Sequence, residues 1–258
     1  MLKKYIASIL LIVNSLNIEL FASNNEDEQN LLKLANAYPN FIKTFSNNKL
    51  IFTDNYEMTY NNFIENKTYE EMLNNPSLKD QMSMKYVKIE ENLNYIPSKN
   101  EDAGRVRYEP FFKKMYGSNK KEIKKNLTKI IWLPKSSKKA LMVTTINDVH
   151  KKLQAISDEL ELLPNELKSF IDNPAGVTNW RKISNTNRLS SHSFGIAIDI
   201  NVKDSDYWQW YKKDEKLNYK NKIPLEIVKI FEKYGFIWGG RWYHYDTMHF
   251  EYRPELLN

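Results

Sequence analysis

The stretch SSHSFGIAIDI at residues 190–200 is the part of the sequence that is most informative about the fold. The β-branched residues that alternate along it and just beyond it are Ile196, Ile198, Ile200 and Val202. Successive strand side chains point to opposite faces, so this alternation predicts a strand over 196–202 with one face in the core. Asp199 then lies on the other face, beside the small side chain of Ala197. Gly195 permits a sharp turn that brings His192 back toward the Asp199 carboxylate.

A second stretch, WGGRWYHYDTMHFE at residues 238–251, has a related pattern. The residues that alternate near its end are Met248, Phe250 and Tyr252 on one face, and His249 and Glu251 on the other. This alternation predicts a strand that presents His249 on its polar face. Asp246 precedes His249 by three residues, in a turn from which its carboxylate can reach the same place.

The side chains His192, Asp199 and His249 are suitable ligands for zinc. The chain has no Cys and only four His, so thiolate metal sites, disulfides and a Cys nucleophile are excluded. Three protein ligands with a fourth position open to water are typical of a catalytic zinc site rather than a structural one. Asp246 is then free to act as a general base and acid.

The composition limits the other classes of function. With 258 residues, 41% of them hydrophobic and 13% aromatic, the chain can bury a sizeable core and is neither a multi-span membrane protein nor wholly disordered. No glycine-rich phosphate motif and no basic-aromatic stripe occurs, which argues against nucleotides and nucleic acids as partners. The formal net charge of +6 suits an anionic partner such as a cell-wall polymer, although the charge is spread along the chain.

The first residues are typical of an export signal. Lys3 and Lys4 precede an apolar run over residues 5–16, and small residues follow near Ala22. This layout predicts a signal peptide at residues 1–22, an exported protein and no stable membrane insertion after cleavage. An uncleaved N-terminal anchor is the alternative. The acidic residues 24–30 are interpreted as a solvated leader.

The remaining patterns mix helices and strands without strict alternation, which predicts an α+β fold. Residues 23–102 form an extension of unknown role, and residues 103–258 form the domain that carries the chemistry. The elements predicted by periodicity and turn residues are helices at 31–38, 69–84 (interrupted at Pro76), 148–163 and 224–234; a short helix ending at 171; a hairpin of 130–133 and 140–145; and strands at 50–54, 177–183, 236–238 and 249–252. Residues 204–222 are expected to form a surface excursion.

The two stretches match the motifs S-x-H-x-x-G-x-A-x-D and D-x-x-H-F, carried here by Ser190, His192, Gly195, Ala197 and Asp199, and by Asp246, His249 and Phe250. Over residues 175–254, and more loosely over 104–167, the chain resembles the M15 zinc peptidases. This group comprises D-alanyl-D-alanine carboxypeptidases and L-alanyl-D-glutamate endopeptidases of the hedgehog/DD-peptidase fold. The resemblance implies an antiparallel sheet with flanking helices.

The resemblance also implies roles for single residues. His192, Asp199 and His249 would bind one zinc ion per chain, and Asp246 would be the catalytic base. An arginine upstream of the first histidine would bind the substrate carboxylate or stabilise the oxyanion; Arg181 fits this position best, and Arg188 is the rival. Ser190 would orient a ligand through a hydrogen bond.

Other residues near the motifs are candidates for substrate contacts. Trp242 and Tyr243 are expected to line a substrate cleft, and His244 is a candidate for a supporting hydrogen bond or a transition-state donor. Glu251 is interpreted as a salt-bridge partner rather than a metal ligand. Arg105 and Arg107 have no assigned role beyond pairing with nearby acids.

The implied reaction is hydrolysis of a peptide bond in peptidoglycan stem peptides, in the periplasm or at the cell wall. A D-alanyl-D-alanine carboxypeptidase is the leading interpretation. The alternatives are an L-alanyl-D-glutamate-type endopeptidase and a non-catalytic wall-binding module that retains the fold. The run SSKK at residues 136–139 matches a serine-nucleophile motif, but no K-T-G partner occurs, so it is interpreted as a hairpin tip.

Overall fold

The computed structural model describes residues 26–210 and 217–257. The signal peptide predicted at 1–22 and residues 211–216 of the predicted surface excursion lie outside the described residues. The helices are α1 (Glu26–Ala37), α2 (Tyr69–Asn74), α3 (Leu78–Ser83), α4 (Glu109–Tyr116), α5 (Lys120–Lys125), α6 (Val149–Leu160), α7 (Asn165–Lys168) and α8 (Leu225–Lys233). The strands are β1 (Ile42–Ser46), β2 (Lys49–Phe52), β3 (Glu57–Thr59), β4 (Leu127–Trp132), β5 (Lys139–Thr144), β6 (Ala197–Asp199), β7 (Phe236–Trp238) and β8 (His249–Tyr252).

The strands form small antiparallel sheets with the orders β1-β2-β3, β4-β5 and β6-β8-β7. Together with the helices, these sheets confirm the predicted α+β class. The predicted hairpin of β4 and β5 is also confirmed, with Trp132 paired to Lys139 across its end. Residues 136–138 of the serine run lie in the turn of this hairpin, as expected, and Lys139 begins β5.

The C-terminal sheet is held by α8, whose apolar stripe packs on β7 and β8. The ring of Phe231 on α8 stacks on that of Phe250 on β8, with centroids 3.9 Å apart. Pro224 stands just before the helix, and Gly235 follows it with a φ of +89°, a left-handed conformation that favours glycine. The predicted boundaries of this helix and of both strands agree with the structure because proline, glycine and a clear apolar period mark them.

The extension shares its core with the rest of the chain. One buried apolar cluster runs from Leu31 on α1 to Leu256 near the C-terminus. A buried polar chain also crosses between the two parts: Tyr38 Oη donates to Glu255 (2.6 Å), and Arg253 bridges Glu255 and Glu251 through distances of 2.6 and 2.9 Å. Each charged side chain in this series lies beside one of opposite charge, and this pairing offsets the free-energy cost of burying the charges.

Several local predictions were wrong. The acidic residues predicted as a solvated leader begin α1 from Glu26 onward, where their charge favours the helix N-terminus, and Asn30 is buried. Strand β6 ends at Asp199, and Val202 is 41% exposed in a short 3-10 helix because the chain turns away from the sheet there.

Two further predictions concern helix and strand boundaries. Asp148 stands at the N-cap of α6, but its side chain makes no capping hydrogen bond and pairs with Lys151 instead. Residues 177–183 form an extended segment with an isolated bridge at Lys182 rather than the predicted strand. Among the described residues, no helix has both the length and the apolar character needed to cross a membrane.

Candidate active site

The pairing of β6 with β8 places Asp199 directly opposite His249. The Oδ1 atom of Asp199 lies 2.8 Å from His249 Nδ1 and 3.1 Å from His192 Nε2. One ligand atom from each of the three residues lies within 4.8 Å of the others. The structure therefore brings together the three side chains that the sequence predicts as zinc ligands.

Gly195 makes this convergence possible. It ends a 3-10 helix over Ser191–Phe194 with a φ of +69° and begins the approach to β6. A Cβ atom at this position would lie 3.0 Å from Thr178 Oγ1 and 3.2 Å from the backbone nitrogen of Thr144. Both the backbone conformation and the available space thus require glycine, as the predicted turn toward His192 suggested.

Each imidazole has one nitrogen engaged by the protein and the other facing Asp199. His192 Nδ1 lies 2.7 Å from the carbonyl oxygen of Val177, so it is the nitrogen that donates a proton there. His249 Nε2 lies 3.3 Å from Glu251 Oε2 and 3.2 Å from Ser191 Oγ. These contacts leave His192 Nε2 and His249 Nδ1 to act as ligands beside the carboxylate. The donor set therefore fits zinc, including the supporting hydrogen bonds that such sites usually have.

The electrostatics of the cluster favour a cation at its centre. Burial alone would raise the pKa of Asp199, but the charge of His192 and hydrogen bonds from both imidazoles hold that pKa well below its usual range. Burial alone would lower the pKa of His249, whereas hydrogen bonds to Asp199 and Glu251 raise it to about 10. A proton on the imidazole and a metal ion are thus alternative ways to balance the carboxylates.

Asp246 lines the same small cavity as the three ligand residues. Its Oδ1 atom is buried and has no hydrogen-bond partner among the described residues. Burial is the main cause that raises the pKa of Asp246, and the nearby charge of Asp199 adds to it, while His249 and Arg105 act against it. A carboxyl whose pKa is raised by burial is suited to general base and acid catalysis.

The turn that carries Asp246 is fixed by its backbone. The nitrogen of Asp246 donates to the carbonyl oxygen of Gly239 at 2.9 Å, and His249 N donates to Asp246 O at 3.1 Å. A Cβ atom on Gly239 would lie 2.5 Å from Asp246 O, so the close approach of the two chain segments excludes any larger residue.

Both arginines proposed from the sequence line this cavity. Arg181 is exposed, whereas Arg188 is half-buried and its Nε atom has no hydrogen-bond partner among the described residues. Arg105 and Arg107 line the cavity too, which the sequence did not predict. Arg107 Nη1 lies 3.0 Å from Glu251 Oε2, and the guanidinium of Arg105 lies 4.7 Å above the ring of Trp242. No spacing rule links residues 105 and 107 to the two motifs, so only the folded chain shows their position.

The remaining candidates divide into two groups. Ser190 and Trp242 line the cavity, but the hydroxyl that contacts His249 belongs to the next serine, Ser191. Tyr243 and His244 do not line it. The His244 ring instead lies with its Nδ1 2.6 Å from Asp102 Oδ2 and stacks on the ring of Tyr69 in α2. Glu251 contacts two arginines and His249, which agrees with its interpretation as a salt-bridge partner.

Comparison with protein families gives a match for the part of the chain that carries this geometry. Residues 184–252 match a family model described as D-alanyl-D-alanine carboxypeptidase. The matched segment includes His192, Asp199, Asp246, His249 and Arg188, but not Arg181. Searches of curated proteins and of solved structures gave no match.

Proposed function

Since residues 184–252 match a model of the M15 peptidase family, we propose that this chain is a zinc-dependent D-alanyl-D-alanine carboxypeptidase acting on peptidoglycan stem peptides. The observation that carries the proposal is the convergence of His192, Asp199 and His249 in one cavity with the carboxyl of Asp246. A structural metal site, whose ligand shell is complete, does not require a further carboxyl group such as that of Asp246 beside the ligands. The presence of Asp246 therefore favours an enzyme over a non-catalytic wall-binding module.

Zinc bound by the three ligand residues would supply a Lewis acid that polarises the scissile carbonyl. Asp246 accepts a proton from the attacking water as the water oxygen bonds to the carbonyl carbon. The same carboxyl then gives this proton to the departing nitrogen as the C–N bond breaks. Because Asp246 Oδ1 makes no hydrogen bond to the described residues, it is available for this transfer.

The arginines of the cavity divide into two pairs by their partners. Arg107 pairs with Glu251, and the Nε atom of Arg105 donates to the carbonyl oxygen of His244 at 3.1 Å. These two are fixed in place by the protein and add positive charge to the cavity. Arg181, whose side chain is exposed, is then the arginine with which the terminal carboxylate of a substrate would interact, and Arg188 is left for a second anionic group.

The cellular location belongs to the same proposal. The charged and apolar layout of residues 1–22 supports export, and the substrate class supports a place in the periplasm or at the cell wall. An endopeptidase that cuts between L-alanine and D-glutamate would use the same catalytic groups, so the position of the cut distinguishes the two activities.

The test uses zinc-loaded protein and the pentapeptide L-Ala-γ-D-Glu-L-Lys-D-Ala-D-Ala, with mass spectrometry of the products. We expect loss of one alanine from the C-terminus, and no product when a chelator has removed the metal. Cleavage after the first L-alanine would show that the activity is that of an endopeptidase and not of a carboxypeptidase. An intact peptide in the presence of zinc would contradict both activities.

Glu251 provides a separate test of the metal site. Replacing it with glutamine removes the charge that orients His249 while keeping the shape of the side chain. We expect Glu251→Gln to bind zinc about 10–100-fold more weakly, the usual effect of losing such a supporting carboxylate. Competition with a chromogenic chelator measures this affinity. The exposed variant Asp148→Asn is the control, and an unchanged affinity in Glu251→Gln would contradict the supporting role.

A further inference from the structure

A second cavity adjoins the one that holds the metal ligands. The metal-site cavity has a volume of about 100 Å³, whereas its neighbour, here called the outer cavity, has a volume of about 810 Å³. Three side chains line both of them: Arg105, Arg107 and Arg188. The two cavities therefore adjoin at these three arginines.

The outer cavity has two walls from distant parts of the sequence. One wall is helix α2 of the extension and the residues just after it, with Glu70, Leu73 and Asn74 among them. The loop that leads into the first motif, from Asn185 to Leu189, forms a second wall, and residues between 105 and 110 also line the cavity. The extension thus builds one side of this space, and the segment that matches the peptidase family builds the other.

The lining is suited to a polar peptide. The side-chain amides of Asn74 and Asn187 can exchange hydrogen bonds with peptide groups. The buried Nε atom of Arg188, which has no hydrogen-bond partner among the described residues, provides a site for a carboxylate where the two cavities meet. A volume of this size is in the range of about 300–1,000 Å³ that is usual for ligand sites.

We propose that the outer cavity is a subsite for the acyl side of the substrate, the residues that precede the scissile bond. Its ligand is a polar peptide of several residues that bears a free carboxylate, and this carboxylate binds at Arg188. This inference deepens the proposed function and rests on it, because it assigns the extension a part in substrate selection. Short peptides that fill only the small cavity would lack these contacts and would be bound more weakly.

The experiment measures binding of a fragment that contains no scissile bond, the tripeptide L-Ala-γ-D-Glu-L-Lys, to the zinc-loaded protein by calorimetric titration. Asn74→Trp and Asn187→Trp each introduce a large ring from one of the two walls, at positions that are exposed and hence tolerant of the change. We expect each variant to bind the tripeptide at least about 10-fold more weakly, since the ring takes the place of the peptide. The control is Asn94→Trp, an exposed position that lines neither cavity.

The outcomes separate this inference from the proposed function. Failure of the wild-type protein to bind the tripeptide would overturn the subsite, as would equal binding by the wild type and both wall variants. Either result leaves hydrolysis of the pentapeptide as an independent measurement. Conversely, loss of tripeptide binding in the wall variants alone would support the subsite even if the pentapeptide were not hydrolysed.

Discussion

Asp246→Ala is expected to lower kcat for the pentapeptide by about 10²–10⁴-fold while the protein still binds one zinc ion per chain, because general acid–base catalysis contributes factors of this size. The substitution removes the carboxyl that takes and returns the proton, but it leaves His192, Asp199 and His249 in place. Steady-state kinetics and metal analysis of the same preparation measure the two effects together.

The matched control for this variant is Asp204→Asn, which changes an acid outside the cavity. It should keep full activity. If Asp246→Ala retained wild-type kcat, the proton would have to move through another group, and Asp246 would have no place in the reaction. Loss of zinc from Asp246→Ala would instead point to a structural contribution.

His192→Ala is expected to abolish stoichiometric zinc binding and to lower kcat/KM by about 10³-fold or more, since several kcal/mol of charge stabilisation at the carbonyl would be lost. The imidazole of His192 is one of the three proposed ligands, and its Nδ1 contact to Val177 holds it in place. Removing it leaves only Asp199 and His249, and two protein ligands are too few for a stable zinc site. Metal content after dialysis and kinetics with added zinc are the measurements.

His150→Ala is the control for loss of an imidazole, because His150 belongs to α6 and not to the ligand cluster. Its zinc content should equal that of the wild type. Circular dichroism of His192→Ala distinguishes loss of the ligand from loss of the fold. Stoichiometric zinc in a folded His192→Ala protein would contradict the ligand assignment.

Sequence reasoning succeeded where the information is local. The strands β7 and β8 have the predicted bounds, because Gly235 and Gly239 flank β7 and the alternating apolar residues Met248, Phe250 and Tyr252 mark β8. The three ligand candidates lie within two short motifs whose internal spacing limits where each side chain can point. The two motifs come together because β6 and β8 pair in an antiparallel register that places Asp199 opposite His249.

The parts that were missed depend on contacts between distant segments. Arg105 and Arg107 reach the cavity through packing of the segment before α4, and nothing in their own neighbourhood indicates it. Strands β1 and β3 were missed because both are short and contain mostly polar residues, which leaves too few apolar positions to establish a period. Helix α4 did carry a signal, since Pro110 lies in its first turn and aromatic residues follow at helical spacing.

The buried polar chain from Tyr38 through Glu255, Arg253 and Glu251 ends at His249. A shortened protein that began after the extension would lose the phenol at the far end of this chain and would expose carboxylates and guanidinium groups that now lie in the dry interior. The orientation of His249, a proposed zinc ligand, is therefore coupled to the extension, although the extension lies outside the segment that matches the peptidase family.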